Sequence, residues 1–118
     1  MIKAAPVTVV EMDGFLSATR KMMNETELSL LVNYLAYNPL AGDIVAGTGG
    51  VRKLRWGLEG RGKRGGARII YYYHDQNMPL YALYAYAKND RSDLSGKQKN
   101  ELKLLTATLF TSAQGKRR

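Results

Sequence analysis

Apolar and polar positions follow two different periods along this chain, and each change of period marks an element. Between Gly49 and Lys88 the period is two. Val51–Gly57 (VRKLRWG), Ala67–His74 (ARIIYYYH) and Leu80–Lys88 (LYALYAYAK) are short runs rich in Val, Ile, Leu, Tyr and Trp. Each is bounded by Gly, Asn, Asp or Pro, which is the pattern of strands. The links between them suit hairpins. In the first run, alternation sets Lys53 and Arg55 on one face and Leu54 and Trp56 on the other. It predicts a half-buried sheet, with Leu54 and Trp56 packed against helices and both cations on the open side. In the second run, Tyr72 shares a face with Arg68 and Ile70, while Tyr71 and Tyr73 share the other with Ile69. Both faces are apolar, so alternation does not choose the core side there.

Outside this stretch the period lengthens. Pro6–Glu11 (PVTVVE) is β-branched and short, and reads as a first strand with Pro6 tolerated at its start. Asp13 is then expected to cap a helix through Phe15, Leu16, Thr19 and Met22/Met23. A second helix is expected from near Asn24 or Thr26 to Tyr37, with Leu28, Leu31, Val32 and Leu35 on one face. Asn38-Pro39 stops it, because the residue before proline is pushed out of the helical region. Residues 40–50 (LAGDIVAGTGG) read as a loop with Ile44-Val45 briefly extended, and 57–66 (GLEGRGKRGG) as a Gly-rich basic loop. Ser95 is the expected N-cap of a last helix from Gly96 to about Ala113, striped by Leu94, Leu102, Leu105 and Leu109. Residues 113–118 read as a basic tail.

The resulting order is β-α-α-β-β-β-α in a single domain over 1–118. The expected class is α+β, a small, mostly antiparallel sheet with the helices packed on one side. A composition of 45% hydrophobic and 24% charged residues is that of a folded protein. No apolar run approaches the roughly 20 residues that span a bilayer, and Met1–Val10 lacks the features of a signal peptide. Together with the absence of cysteine, this makes a cytoplasmic location the expectation, with no membrane partner.

Charge changes the picture more. The net charge is +8, a field that favours polyanions or an acidic protein partner. The positive charge is clustered: Arg52, Lys53, Arg55, Arg61, Lys63, Arg64 and Arg68 fall within 17 residues beside one acid, Glu59. Arg61, Lys63 and Arg64 suit contact with RNA phosphates or a solvated turn. One histidine, no cysteine and scattered carboxylates form no ligand constellation, so no metal or cofactor is expected. His74-Asp75 reads as the mouth of a turn.

Three segments carry a family resemblance: GTGGVRKLRW (47–56), GKRGGARIIYYY (62–73) and YAKNDRSDLS (86–95). Together they resemble the RelE/ParE toxin superfamily, and more closely its HigB branch of type II toxin–antitoxin systems, over roughly residues 6–110. The resemblance implies a ribosome-dependent endoribonuclease that cuts mRNA in the A site. It also implies inhibition by a co-transcribed HigA-like antitoxin carrying a helix-turn-helix, through which alone DNA is met. It carries Lys53, Arg55, Arg68 and Lys88 into the catalytic set, with Arg68 where the family places an arginine on the scissile phosphate. Asn89 stands where some members have a second arginine, and Arg91 follows two residues on. Several members also place a catalytic Tyr or His just after the last strand, whereas here nothing aromatic occurs between Tyr86 and Phe110.

The residues fit that chemistry on their own terms. RNA supplies its 2′-OH as nucleophile, and the protein must align it, move two protons and stabilise charge on the phosphoryl oxygens. Arginine suits the last task, being always charged and bidentate toward phosphate. Cations crowded together disfavour a lysine's charged form, which is what a lysine base at Lys53 or Lys88 requires. Arg52, Arg61, Lys63, Arg64, Tyr72, Asn89 and Arg91 complete the expected RNA- or ribosome-contacting set, with Tyr72 as a stacking platform or as core. Two other readings stay open: a ParE-like DNA gyrase inhibitor that cuts nothing, and a basic nucleic-acid-binding module. Retention of the cationic set favours the nuclease.

Overall fold

The computed structural model describes residues 5–58, 62–88 and 93–115, with side chains described over 5–58, 66–88 and 93–113. Its elements are β1 (Val9–Glu11), α1 (Asp13–Arg20), α2 (Glu25–Tyr37), β2 (Asp43–Ile44), β3 (Val51–Leu58), β4 (Gly62–Tyr72), β5 (Leu80–Ala87) and α3 (Gly96–Gly115). The five strands form one sheet in the order β1-β5-β4-β3-β2. β2, β3, β4 and β5 are joined antiparallel, and β1 lies parallel to β5. The fold is α+β with a mixed sheet.

The helices start where their capping residues allow. Asn24 Oδ1 accepts the Glu27 N–H at 2.8 Å, and Glu27 Oε1 accepts the Asn24 N–H at 3.2 Å. Ser95 and Gln98 repeat this reciprocal pairing at α3, at 3.1 and 2.9 Å. Asp13 departs from expectation. The residue flanking α1 is Met12, in extended backbone and without a side-chain cap. Asp13 instead lies in the first turn, where a carboxylate complements the positive end of the helix dipole.

Several boundaries move. The first strand is confined to Val9–Glu11, where β5 supplies its pairing. β2 forms at Asp43–Ile44, one residue earlier than the extended pair expected from the sequence. β4 begins at Gly62, so part of the Gly-rich stretch 57–66 is strand, paired through Leu58 and Gly62. α3 runs to Gly115, which leaves only 116–118 of the supposed tail outside the described residues.

The larger correction concerns the helices. Phe15, Leu31 and Leu35 of α1 and α2 pack on Leu54, Ala67, Ile69, Tyr71 and Ala82. Leu94, Leu109 and Ala113 at and within α3 pack instead with Val51, Ile70, Tyr72 and Tyr86. Ile69 and Ile70 point to opposite faces of β4. α1 and α2 therefore cover one face, and α3 crosses the other. This resolves why Tyr71-Tyr72-Tyr73 is apolar on both sides, since each face has a helix to meet.

Two features hold the layers in place. Tyr71, fully buried, accepts the Gly42 N–H at 2.8 Å and donates to the Pro39 carbonyl at 2.9 Å. On the other face, buried Thr48 bonds the Val45 carbonyl and the Val51 N–H, and Thr106 of α3 donates to the Thr48 carbonyl at 3.1 Å. Gly49 beside it has φ of 76°, and a Cβ there would come within 2.5 Å of Thr106 Oγ1. Only glycine allows both the left-handed backbone and the close approach of α3.

Candidate functional site

Strand register decides which side chains meet. Pairing of β3, β4 and β5 aligns Lys53–Ile70–Tyr84 in one row across the sheet and Arg55–Arg68–Tyr86 in the next. Both rows lie on the α3 face, because Ile70, Tyr84 and Tyr86 belong to its core. Asp43 of β2 stands opposite Lys53 at the sheet edge.

A β-bulge makes the second half of these rows possible. Ile70 pairs with Tyr84 but Tyr71 pairs with Ala82, so Leu83 is an extra residue on β5. Beyond it the alternation inverts, and Tyr81 stays on the same face as Tyr84 and Tyr86.

Arg55 is exposed, and Arg68 directly opposite is only 7% exposed. Like charges facing each other across strands destabilise a sheet. The Arg68 guanidinium donates to the Ala67 carbonyl at 3.3 Å. Lys53 Nζ meets Asp93 Oδ1 at 3.1 Å, and the same oxygen accepts the Leu94 N–H at 2.7 Å. The Leu94 N–H first, and then Lys53, hold the Asp93 carboxyl below its ordinary pKa. Lys88 is exposed at the end of β5, its N–H bonded to the Gly66 carbonyl at 3.1 Å.

The fold thus brings Lys53, Arg55 and Arg68 together on one face and sets Lys88 at the strand end beyond Tyr86. It separates two other expected residues from them. Arg52 lies on the opposite face with Tyr71, and its guanidinium donates to the Gly42 carbonyl at 2.7 Å and the Leu40 carbonyl at 3.3 Å. It secures the loop that Tyr71 also holds. Tyr72 is 4% exposed beneath α3, so it is core and has no open ring face for a base. Its pKa is raised, chiefly by burial. Arg61, Asn89 and Arg91 lie outside the described residues, as do the side chains of Lys63 and Arg64.

His74 is exposed at 3.6 Å from Asp75 and lies edge-on to Phe110. It stands six residues beyond Arg68, which in extended chain is about 20 Å away. Sequence reasoning missed Tyr84, Tyr86 and Asp93. The two tyrosines were legible as a period-two pair in LYALYAYA, but the bulge that orients them was not. Asp93 carried no signal, since its partner is 40 residues away.

Among the described residues no helix is long and apolar enough to cross a membrane. A comparison with protein-family models matches residues 14–116 to the RelE toxin of the RelE/RelB toxin–antitoxin system. That span takes in every described element except β1, and membership implies an antitoxin partner. The chain belongs to the RelE toxin family of toxin–antitoxin systems.

Proposed function

We propose that this toxin is a ribosome-dependent, metal-independent mRNA endoribonuclease of HigB type. It cuts mRNA in the A site, halts translation in the cytoplasm, and is held in check by a HigA-like helix-turn-helix antitoxin. The observation that carries the reading is the pairing of Arg55 opposite Arg68, one row from Lys53, on the face that α3 covers only in part. Two guanidinium groups at opposed positions suit the grip of one phosphate between them. The specificity for the ribosome rests on the resemblance of 47–56, 62–73 and 86–95.

In this mechanism the 2′-oxygen attacks phosphorus as the bond to the 5′-oxygen breaks. The products are a 2′,3′-cyclic phosphate and a 5′-hydroxyl. Arg55 and Arg68 stabilise the charge on the phosphoryl oxygens. Lys88 takes the 2′-OH proton, and Lys53, kept charged and oriented by Asp93, or an arginine protonates the leaving oxygen. Lys88→Arg keeps the charge, so cutting at the wild-type rate in that variant would remove the lysine base.

The test is primer extension on a defined mRNA, with and without ribosomes, for the wild type, Arg68→Ala and Arg55→Ala. Cuts at A-site codons that require ribosomes and fall by orders of magnitude in both variants are expected. Exposed Arg55 keeps the result clear of any unfolding caused by the buried Arg68→Ala change. Arrest without cleavage would make the protein a ribosome blocker. An untouched mRNA with DNA damage on expression would favour gyrase inhibition.

A further inference from the structure

The second face holds an open slot that neither the packing nor the cation rows account for. The C-terminal part of α3 closes onto the sheet through Leu109 and Ala113. Its N-terminal part leaves a cleft of about 240 Å³ over Ile70 and Tyr84. Leu102 and Leu105 form the helix side, and Gln98 and Glu101 are the polar members of the lining. Protein interiors leave few such spaces, and this one is smaller than the roughly 300–1,000 Å³ of a drug-sized site.

The position of the slot is what points to a ligand. Its floor, Ile70 and Tyr84, is the continuation of the Lys53 row. The Arg55–Arg68–Tyr86 row lies two residues along each strand, about 6.6 Å away. Leu94 in its wall follows Asp93, the partner of Lys53. The Tyr84 and Tyr86 rings, 6.5 Å apart and tilted by 34°, connect the slot to Arg68.

The lining selects for a planar, uncharged group with edge donors and acceptors. Five of its seven residues are Ile, Leu or Tyr, and Tyr84 is half-buried. None is a cation, and the Glu101 carboxylate opposes a phosphate. Gln98 Oε1 is taken up by the Ser95 N–H at 2.9 Å, so its amide N–H₂ is the donor it offers. Glu101 supplies an acceptor. One donor and one acceptor above an aromatic floor suit a nucleobase, whose neighbouring phosphate then falls on the cation row.

We propose that the slot between α3 and the Ile70–Tyr84 floor is a nucleobase subsite. It takes one splayed-out base of the RNA strand whose phosphate meets Arg55 and Arg68. The proposal rests on the RNA-cleaving reading above. Single-stranded RNA is commonly read in this way, by unstacked bases laid on aromatic rings and hydrogen-bonded at their edges.

The test uses the wild-type protein and a 2′-O-methyl trinucleotide, which binds but cannot be cut. Affinity is measured by fluorescence anisotropy for the intact trinucleotide and for three analogues, each abasic at one position. One abasic position should weaken binding roughly 5- to 150-fold, the range expected for loss of a base stacked on an aromatic ring. In Leu102→Trp, which fills the slot, that position should cease to matter. Backbone amide shifts of Gln98, Glu101 and Leu102 in the wild type should respond to the intact oligonucleotide and not to that abasic one. This localises the base even where Leu102→Trp does not fold.

Equal binding of all four oligonucleotides would overturn the subsite and leave the RNA reading standing. Persistence of the base effect in folded Leu102→Trp would also overturn the subsite. Binding of none would overturn the subsite, and the RNA reading would still stand or fall on the cleavage assay with ribosomes.

Discussion

The two faces of the sheet are built from the same strands and end in opposite conditions. Over β3, β4 and β5 the α1–α2 face is closed. Phe15, Leu31, Leu35, Ile69 and Tyr71 are fully buried, Trp56 packs against Tyr34 with ring centroids 5.4 Å apart, and Arg52 is turned to structural use. The α3 face is sealed only at one end. There Thr106 fastens α3 to the GTGG loop, while at the other end Arg55 faces Arg68 and a cleft stands open. The same residue type therefore does different work three positions apart on β3. Arg52 bonds carbonyls, whereas Arg55 faces a like charge. Both sides bury apolar residues, and the α3 side in addition sets Arg55 opposite Arg68.

Substitutions should separate the two faces. The largest effect is expected for Leu35→Ala on the closed face, which removes a fully buried side chain. It should cost about 2–5 kcal/mol in urea unfolding, through lost burial plus the cavity left behind. Cleavage per folded molecule should be unchanged.

Arg55→Ala is the converse. Its side chain is exposed, so unfolding should move little. Cleavage on ribosomes should fall about 10²- to 10³-fold, the usual loss on removing one preorganised donor to the transition state. A rate near wild type would place the chemistry elsewhere.

The two capping boxes make a matched pair. Asn24→Ala and Ser95→Ala should each cost about 1 kcal/mol of stability. Only Ser95→Ala should also slow cleavage, because Ser95 holds the start of α3 two residues from Asp93.

The smallest effect concerns Asp93. Its carboxyl sits below the ordinary aspartate value of 3.8, so it binds a proton more readily unfolded than folded. Its contribution is present above that value and is lost as pH falls through the folded pKa. With Asp93 53% exposed, the contribution is worth about 0.2–0.5 kcal/mol. Asp93→Asn should flatten the stability profile only below about pH 4. At neutral pH it should slow cleavage by releasing Lys53. Unchanged cleavage in Asp93→Asn would show that the ion pair does not orient the lysine.

Local signals were enough for most elements. The Asn24–Glu27 and Ser95–Gln98 spacings, the Asn38-Pro39 stop and the period-two runs at Val51, Ala67 and Leu80 each act within a few residues. They can be read from the chain alone. The candidate site was legible as far as residue type and strand position carry it, which brought Lys53, Arg55, Arg68 and Lys88 into view. Arg52 and Tyr72 misled because charge and aromaticity describe a side chain and not what packs on it: loop carbonyls take up Arg52, and α3 covers Tyr72 on the face it shares with Arg68.

By itself, then, the sequence determined the starts of α2 and α3, the alternation of Lys53 and Arg55 against Leu54 and Trp56, and a family pattern dense in cations. Only the tertiary structure decided that α3 takes the opposite face from α1 and α2, and that Leu83 bulges to set Tyr84 and Tyr86 beside the cations. It also decided that Asp93 reaches Lys53 across 40 residues. Caps and periods depend on neighbours a turn or a strand residue away. Face, register and partner depend on which distant surfaces bury each other, and no local spacing encodes that.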